Sequence, residues 1–102
     1  MSMISADYQC QYEVIDGRGR ITRMADTQSR TVPLDNAASR DEAGRAAWAM
    51  WRQLVPYHKV RSVSVTTVET RVDGRWRVQP LAYRFTDAEL RDLSPVGSEF
   101  AS

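Results

Sequence analysis

Apolar and polar residues alternate strictly from Asp7 to Ile15. Tyr8, Cys10, Tyr12 and Val14 fall on one face, and Gln9, Gln11 and Glu13 on the other. This is the pattern of a half-buried strand. Asp16-Gly17-Arg18-Gly19 supplies turn residues, and Ile21 to Ala25 returns as a second strand, so the segment reads as a hairpin. From Asp26 to Ala38 the pattern is irregular. Val32 and Leu34 are placed to close one side of a core, while Pro33 argues against a central strand.

A helix is predicted over 40–54. Ser39 is a good N-cap, and Glu42 three residues on completes a capping box. Ala43, Ala46, Ala47, Met50, Trp51 and Leu54 recur at helical spacing, with Arg45 and Arg52 towards water. Pro56 ends the segment. Val60 to Phe85 then reads as a long hairpin turning at Asp73-Gly74. Val63 and Val65 share a face with Trp76 and Val78, but Leu81, Tyr83 and Phe85 have the opposite parity. One extra residue near Pro80 repairs the mismatch, so a bulge is predicted there that brings all seven to one side. Thr86 and Glu89 form a second capping box, opening a short helix through Leu93 that Pro95 stops.

The expected fold is therefore α+β: a two-layer β-β-α-β-β arrangement, with an antiparallel sheet of about four strands, one main helix on one face and a short C-terminal helix. Residues 1–96 make a single domain. Gly97 to Ser102 is expected to be a flexible tail, of the kind that translated cloning sites leave.

Composition narrows the function more by exclusion than by indication. The 102 residues are 42% hydrophobic and 26% charged, enough for one folded core and too apolar for a disordered tail. No apolar run approaches the roughly 20 residues of a membrane span, and no signal peptide is expected. One Cys and one His disfavour disulfides and structural zinc and fit a reducing cytoplasm. The net charge of +1 is far from that of a dedicated nucleic-acid binder. Lys59 is the only lysine among fourteen basic residues, a bias that suits anion recognition but that a GC-rich genome more often produces.

Candidate chemistry is sparse. Cys10 lies on the apolar face of the first strand and reads as a buried hydrophobe. His58 is the only imidazole, and Asp7, Glu13, Asp16 and Glu69 have no spacing that forces two carboxylates together. Gly17 and Gly19 lead into a strand, which makes them a hairpin turn rather than a phosphate loop. Three surfaces remain. Trp48, about 140° from Ala43 around the helix, has Arg45 and Arg52 beside it and suits a protein interface, or else simply the edge of the core. Arg75, Arg77 and Arg84 are expected among Ser62, Ser64, Thr66 and Thr70 on the sheet face away from the helix, a candidate nucleic-acid surface or an ordinary solvated one. Tyr12, Trp51 and Tyr83 are placed for a small-ligand or enzyme pocket between helix and sheet.

Residues 41–86, a helix followed by a hairpin turning at Asp73-Gly74, resemble in element order the α-β-β portion of dodecin-type flavin-binding proteins. No Trp occupies the strand Val60 to Val72, so no flavin site is carried over and no cofactor is expected. His58-Lys59-Val60-Arg61 is similar to a short segment of the archaeal ribosomal protein LX. The sequence as a whole predicts a cytoplasmic, bacterial-type interaction module without catalytic activity, of a size that mobile elements carry. Its expected partner is a second copy or another protein. Nucleic acid is the disfavoured alternative, and no membrane association is expected.

Overall fold

Each of these elements forms in the structure, a computed structural model that describes residues 2–96. β1 spans Met3–Ile15, β2 Ile21–Pro33, α1 Arg40–Leu54, β3 Lys59–Val72, β4 Arg75–Thr86 and α2 Asp87–Val96, with a 3-10 turn at Leu34–Asn36. The strands make one antiparallel four-stranded sheet in the order β2-β1-β3-β4, with α1 packed on one face. This is the expected α+β arrangement. The 97–102 tail lies outside the described residues, among which no helix is long and apolar enough to cross a membrane.

Two boundaries differ from the sequence reading. β2 does not fade after Ala25 but stays paired with β1 as far as Pro33. It is an edge strand, so residues 26–31 need no apolar alternation, and Pro33 is tolerated as its last residue. α2, expected to stop ahead of Pro95, runs to Val96. A proline in the last turn forfeits one N–H bond without having to break the helix.

Capping follows the sequence more closely at α2 than at α1. Thr86 and Glu89 cap each other: the Glu89 N–H donates to Thr86 Oγ1 at 3.2 Å and the Thr86 N–H to Glu89 Oε1 at 3.3 Å. At α1 the Glu42 N–H donates to Ser39 Oγ, but the Glu42 carboxylate turns away to Arg45 and Arg30. The Ser39 N–H goes to the Asn36 carbonyl instead.

The core lies between α1 and the face of the sheet carrying Tyr8, Cys10, Tyr12 and Val14. Ala43, Gly44, Ala46 and Ala47 let α1 sit close, and a Cβ added at Gly44 would stand 3.4 Å from the Phe85 ring. Tyr8 is fully buried and donates its hydroxyl to the Ala37 carbonyl at 2.6 Å, tying the sheet to the segment before α1. At the other end of α1, Trp51 Nε1 donates to Asp87 Oδ1 at 2.8 Å, and Arg91 bonds the same carboxylate.

The expected bulge is present. Val65 pairs with Tyr83 and Thr67 with Pro80, leaving Leu81 and Ala82 opposite Thr66 alone. Two bulges in β3 were not foreseen. Against β1, Cys10 pairs with Val65 and Gln9 with Thr67, so Thr66 is itself an extra residue in β3. A further shift falls where Glu13 pairs with Ser62 and Val14 with Val60, which makes Arg61 extra as well. The parity of β3 switches at each, so Val60, Val63, Val65 and Val68 are all buried. The expectation that Trp76 and Val78 join the core is overturned: they pair with Arg71 and Glu69 on the outward face and are 54% and 62% exposed.

Two outcomes are expected. Tyr8→Phe leaves the Ala37 carbonyl without its buried donor and lowers unfolding stability by about 1–3 kcal/mol, measurable by urea denaturation. The second concerns Asp87. Burial pushes its carboxyl up, but the bonds from Arg91 and Trp51 outweigh this and hold it below the usual aspartate range. A carboxylate depressed in the folded state stabilises the fold above its unfolded range and stops doing so as pH falls through its folded value. Docking of α2 should therefore loosen below about pH 4, seen as a change in tryptophan fluorescence that Asp87→Asn diminishes.

Candidate interaction surface

An open sheet has two edges, and here they differ. β4 carries Pro80 and the bulge at Leu81 and Ala82, both features that blunt an edge against further pairing. β2 has neither. Its register with β1 runs from Met3↔Pro33 to Ile15↔Ile21 without a shift. Apart from Gln28 and Arg30, every residue from Ile21 to Thr31 is exposed. The Thr27 N–H is taken by Asp26 Oδ1 at 2.8 Å, which puts that N–H on the unpaired side of the strand.

Beside this edge runs a groove of about 410 Å³ between β2 and α1, lined by Arg30, Trp48, Ala49, Arg52 and Gln53. Arg30 lies 3.8 Å from the buried Glu42, which Arg45 also bonds at 3.3 Å. Gln28 Nε2 donates to Gln53 Oε1 at 3.3 Å, joining the edge strand to the helix. The interface candidates from the sequence, Trp48, Arg45 and Arg52, thus lie on the flank nearest β2. The Arg52 guanidinium lies over the Trp48 ring, 5.4 Å from its centroid. Trp48 is only 8% exposed. It is therefore part of the core edge, and what it offers a partner is the rim of the groove.

The Arg-bearing sheet face does not assemble as expected. Arg84 points outward, 3.6 Å from Glu13. Arg77 has the other parity and lines a cavity on the helix side with Val68, Thr70, Ala37 and Ala38. Arg75, two residues away, shares that parity. The β3 bulge at Thr66 is the cause: it turns Thr70 and its partner Arg77 towards the helix layer. The outward position between Arg75 and Arg77 is held by Trp76, whose ring lies 5.7 Å from the Arg71 guanidinium.

None of the cavities among the described residues is lined by Tyr12, Trp51 and Tyr83 together. Tyr83 donates its hydroxyl to Ala38 before α1, while the Trp51 N–H is engaged near the far end of that helix. Tyr12 is buried in the sheet core. The remaining candidates have structural roles. Asp16 accepts from the Arg18 and Arg20 N–H groups and closes the first hairpin. Asp7 accepts from Ser29 Oγ at 2.7 Å, across to the edge strand. Glu69 pairs with Asp7 in the β1–β3 register. Glu13 accepts from Ser62 and Arg23, which hold it below the usual glutamate range. Gly19 has φ +77°, the conformation its turn requires. His58 is exposed, and its backbone N–H caps the Leu54 carbonyl. Among the described residues, no three or more His, Cys, Asp or Glu side chains gather where a metal could bind.

The residues missed at the sequence level are Asp26, Gln28 and Arg30, inside the stretch that looked irregular. A signal was there. Opposite charges stand four apart, Gln28 lies midway between them, and no Gly or Pro interrupts 20–32. Comparison with family models, with characterised proteins and with solved structures finds no match to this chain.

Burial, and then the nearby Asp26 charge, push the Cys10 thiol up to about 12. Its expected behaviour is that of an inert core group. Ellman's reagent at pH 8 should leave it unmodified in the native protein and label it once urea unfolds the chain.

Proposed function

We propose that this chain is a non-catalytic interaction module that self-associates through the free edge of β2, with the Trp48, Arg45 and Arg52 flank of α1 beside the joint. The observation that carries this reading is the unshifted, exposed run of β2, a template that can accept another strand along its length. The contrast with β4 favours one edge over the other, because Pro80 and its bulge interrupt the opposite side. The sole thiol, buried and pushed up by its surroundings, has none of the activation that nucleophilic catalysis needs. A single buried thiol also suits a reducing cytoplasm. The nucleic-acid alternative is weakened because Arg75 and Arg77 do not share a face with Arg84.

Light scattering over a dilution series tests the reading. The wild-type chain is expected to approach twice its own mass at high concentration. Ala25→Lys/Thr27→Lys adds charge at two exposed outward positions of the edge and should raise the dissociation constant about tenfold or more without lowering the melting temperature. A wild-type chain that scatters as a single copy at every concentration overturns the proposal.

A further inference from the structure

Resting on that reading, we propose that two copies of this chain pair their β2 strands antiparallel about Gln28, so that Asp26 of each copy lies opposite Arg30 of the other. A two-fold joint between identical antiparallel strands places each residue opposite its mirror position about a centre. Paired residues must present their N–H and C=O groups in the same sense, so the centre falls on a residue and not between two. That leaves few registers in the middle of β2.

Charge separates them. A centre at Asp26 sets two aspartates face to face, and a centre at Arg30 sets two arginines face to face. A centre at Thr27 puts Met24 opposite Arg30 and Asp26 opposite Gln28. A centre at Ser29 puts Asp26 opposite Val32. Only the centre at Gln28 pairs Asp26 with Arg30, and by symmetry it does so twice. The same register sets Thr27 opposite Ser29 and Ala25 opposite Thr31, with Met24, 45% exposed, opposite Val32.

The geometry of the edge is consistent with this centre. Thr27 presents its N–H outward, so residues of its parity form the hydrogen-bonded pairs across the joint, and Gln28 meets its copy in a non-hydrogen-bonded pair. The 25–31 and 27–29 pairs each recur twice and each exchanges two backbone bonds, about eight in all. Asp26 now caps the Thr27 N–H of its own strand. On association its carboxylate swings to the partner's Arg30 and releases that N–H to the ladder. Glu42, behind Arg30, steadies the guanidinium on the joint side of α1. Both copies of α1 then lie on the same side of one continuous sheet, with their Arg30, Trp48 and Arg52 grooves facing across the seam.

Cysteine scanning of the full chain reads the register directly. Single substitutions Asp26→Cys, Thr27→Cys, Gln28→Cys, Ser29→Cys and Arg30→Cys are oxidised at a concentration where scattering reports association, and cross-linking is followed on non-reducing gels. Wild-type Cys10 is buried and serves as the uncross-linked control. Only the residue on the two-fold axis meets itself at roughly 4.5 Å between Cα atoms, inside disulfide range. Gln28→Cys is expected to cross-link about tenfold faster than any neighbour. A maximum at 27 or 29 overturns this register while self-association stands, as does an associated chain that cross-links nowhere. A chain that neither associates nor cross-links overturns both readings. Asp26→Arg, at an exposed position, gives a second readout: alone it should weaken association about tenfold. Mixing it with Arg30→Glu should restore a mixed pair in which both cross-strand contacts have opposite charges. A mixture no tighter than Asp26→Arg alone counts against the register.

Discussion

One residue, Thr66, decides which side chains the sheet buries beyond Val65. It is extra with respect to β1, and β4 answers it with two residues, Leu81 and Ala82. Because the side-chain period of a strand is two, each insertion exchanges faces for everything beyond it. In β3 the exchange moves burial from Val63 and Val65 to Val68 and Thr70. In β4 the second insertion compensates, so Phe85, Tyr83, Gln79 and Arg77 keep one parity throughout. The helix-side surface is apolar where α1 covers it and polar beyond, and the outward surface ends in exposed Val78 and Trp76.

Covering the sheet sets the second constraint. α1 has 15 residues and the strands 12 to 14. At about 1.5 Å per helical residue and 3.3 Å per strand residue, the helix spans roughly half the strand length. The molecule is accordingly elongated, 48 × 27 × 19 Å. One helix on four strands also leaves the margins thinly covered. At the β2 margin the bare edge is met by a polar strip, Gln28 on Gln53 and Arg30 by Glu42, rather than by core. That strip sets polar side chains beside a long open edge while leaving its outward backbone groups accessible to another strand.

How much of this was legible depended on whether apolar packing wrote the pattern. The helix from Arg40 to Leu54, the alternation through Tyr8 and Val14, and the Asp73-Gly74 turn all carry strong local signals. The bulge near Pro80 was legible because the parity of Leu81, Tyr83 and Phe85 conflicts with that of Val63 and Val65. Its companion at Thr66 leaves a fainter trace: beyond it Val68 alone of the buried valines conflicts in parity with Val63 and Val65, and the two threonines between suit either face. From that single omission came the misplacement of Trp76, Val78, Arg75 and Arg77. β2 was hidden for another reason: an exposed edge strand answers to its backbone partner and not to a core, so its side chains need no periodicity. The interface candidates were legible only in part. Trp48, Arg45 and Arg52 stood out by residue type, whereas Asp26 and Arg30 acquire meaning only once β2 is known to be a strand.

The order β2-β1-β3-β4 has a consequence for how the chain reaches its fold. β1 with β2, and β3 with β4, are local hairpins closed by short turns, each able to form without the other. The central seam is different: it brings Tyr8 beside Val68 and Val14 beside Val60, across everything between them in the chain. Closing that large loop is entropically costly until α1 is seated on both halves. The transition state is thus expected to resemble two preformed ribbons meeting along β1 and β3, with the Tyr8 hydroxyl finding the Ala37 carbonyl as the ends engage. On that route folding speed is expected to be set at the middle of the sheet rather than at its edges.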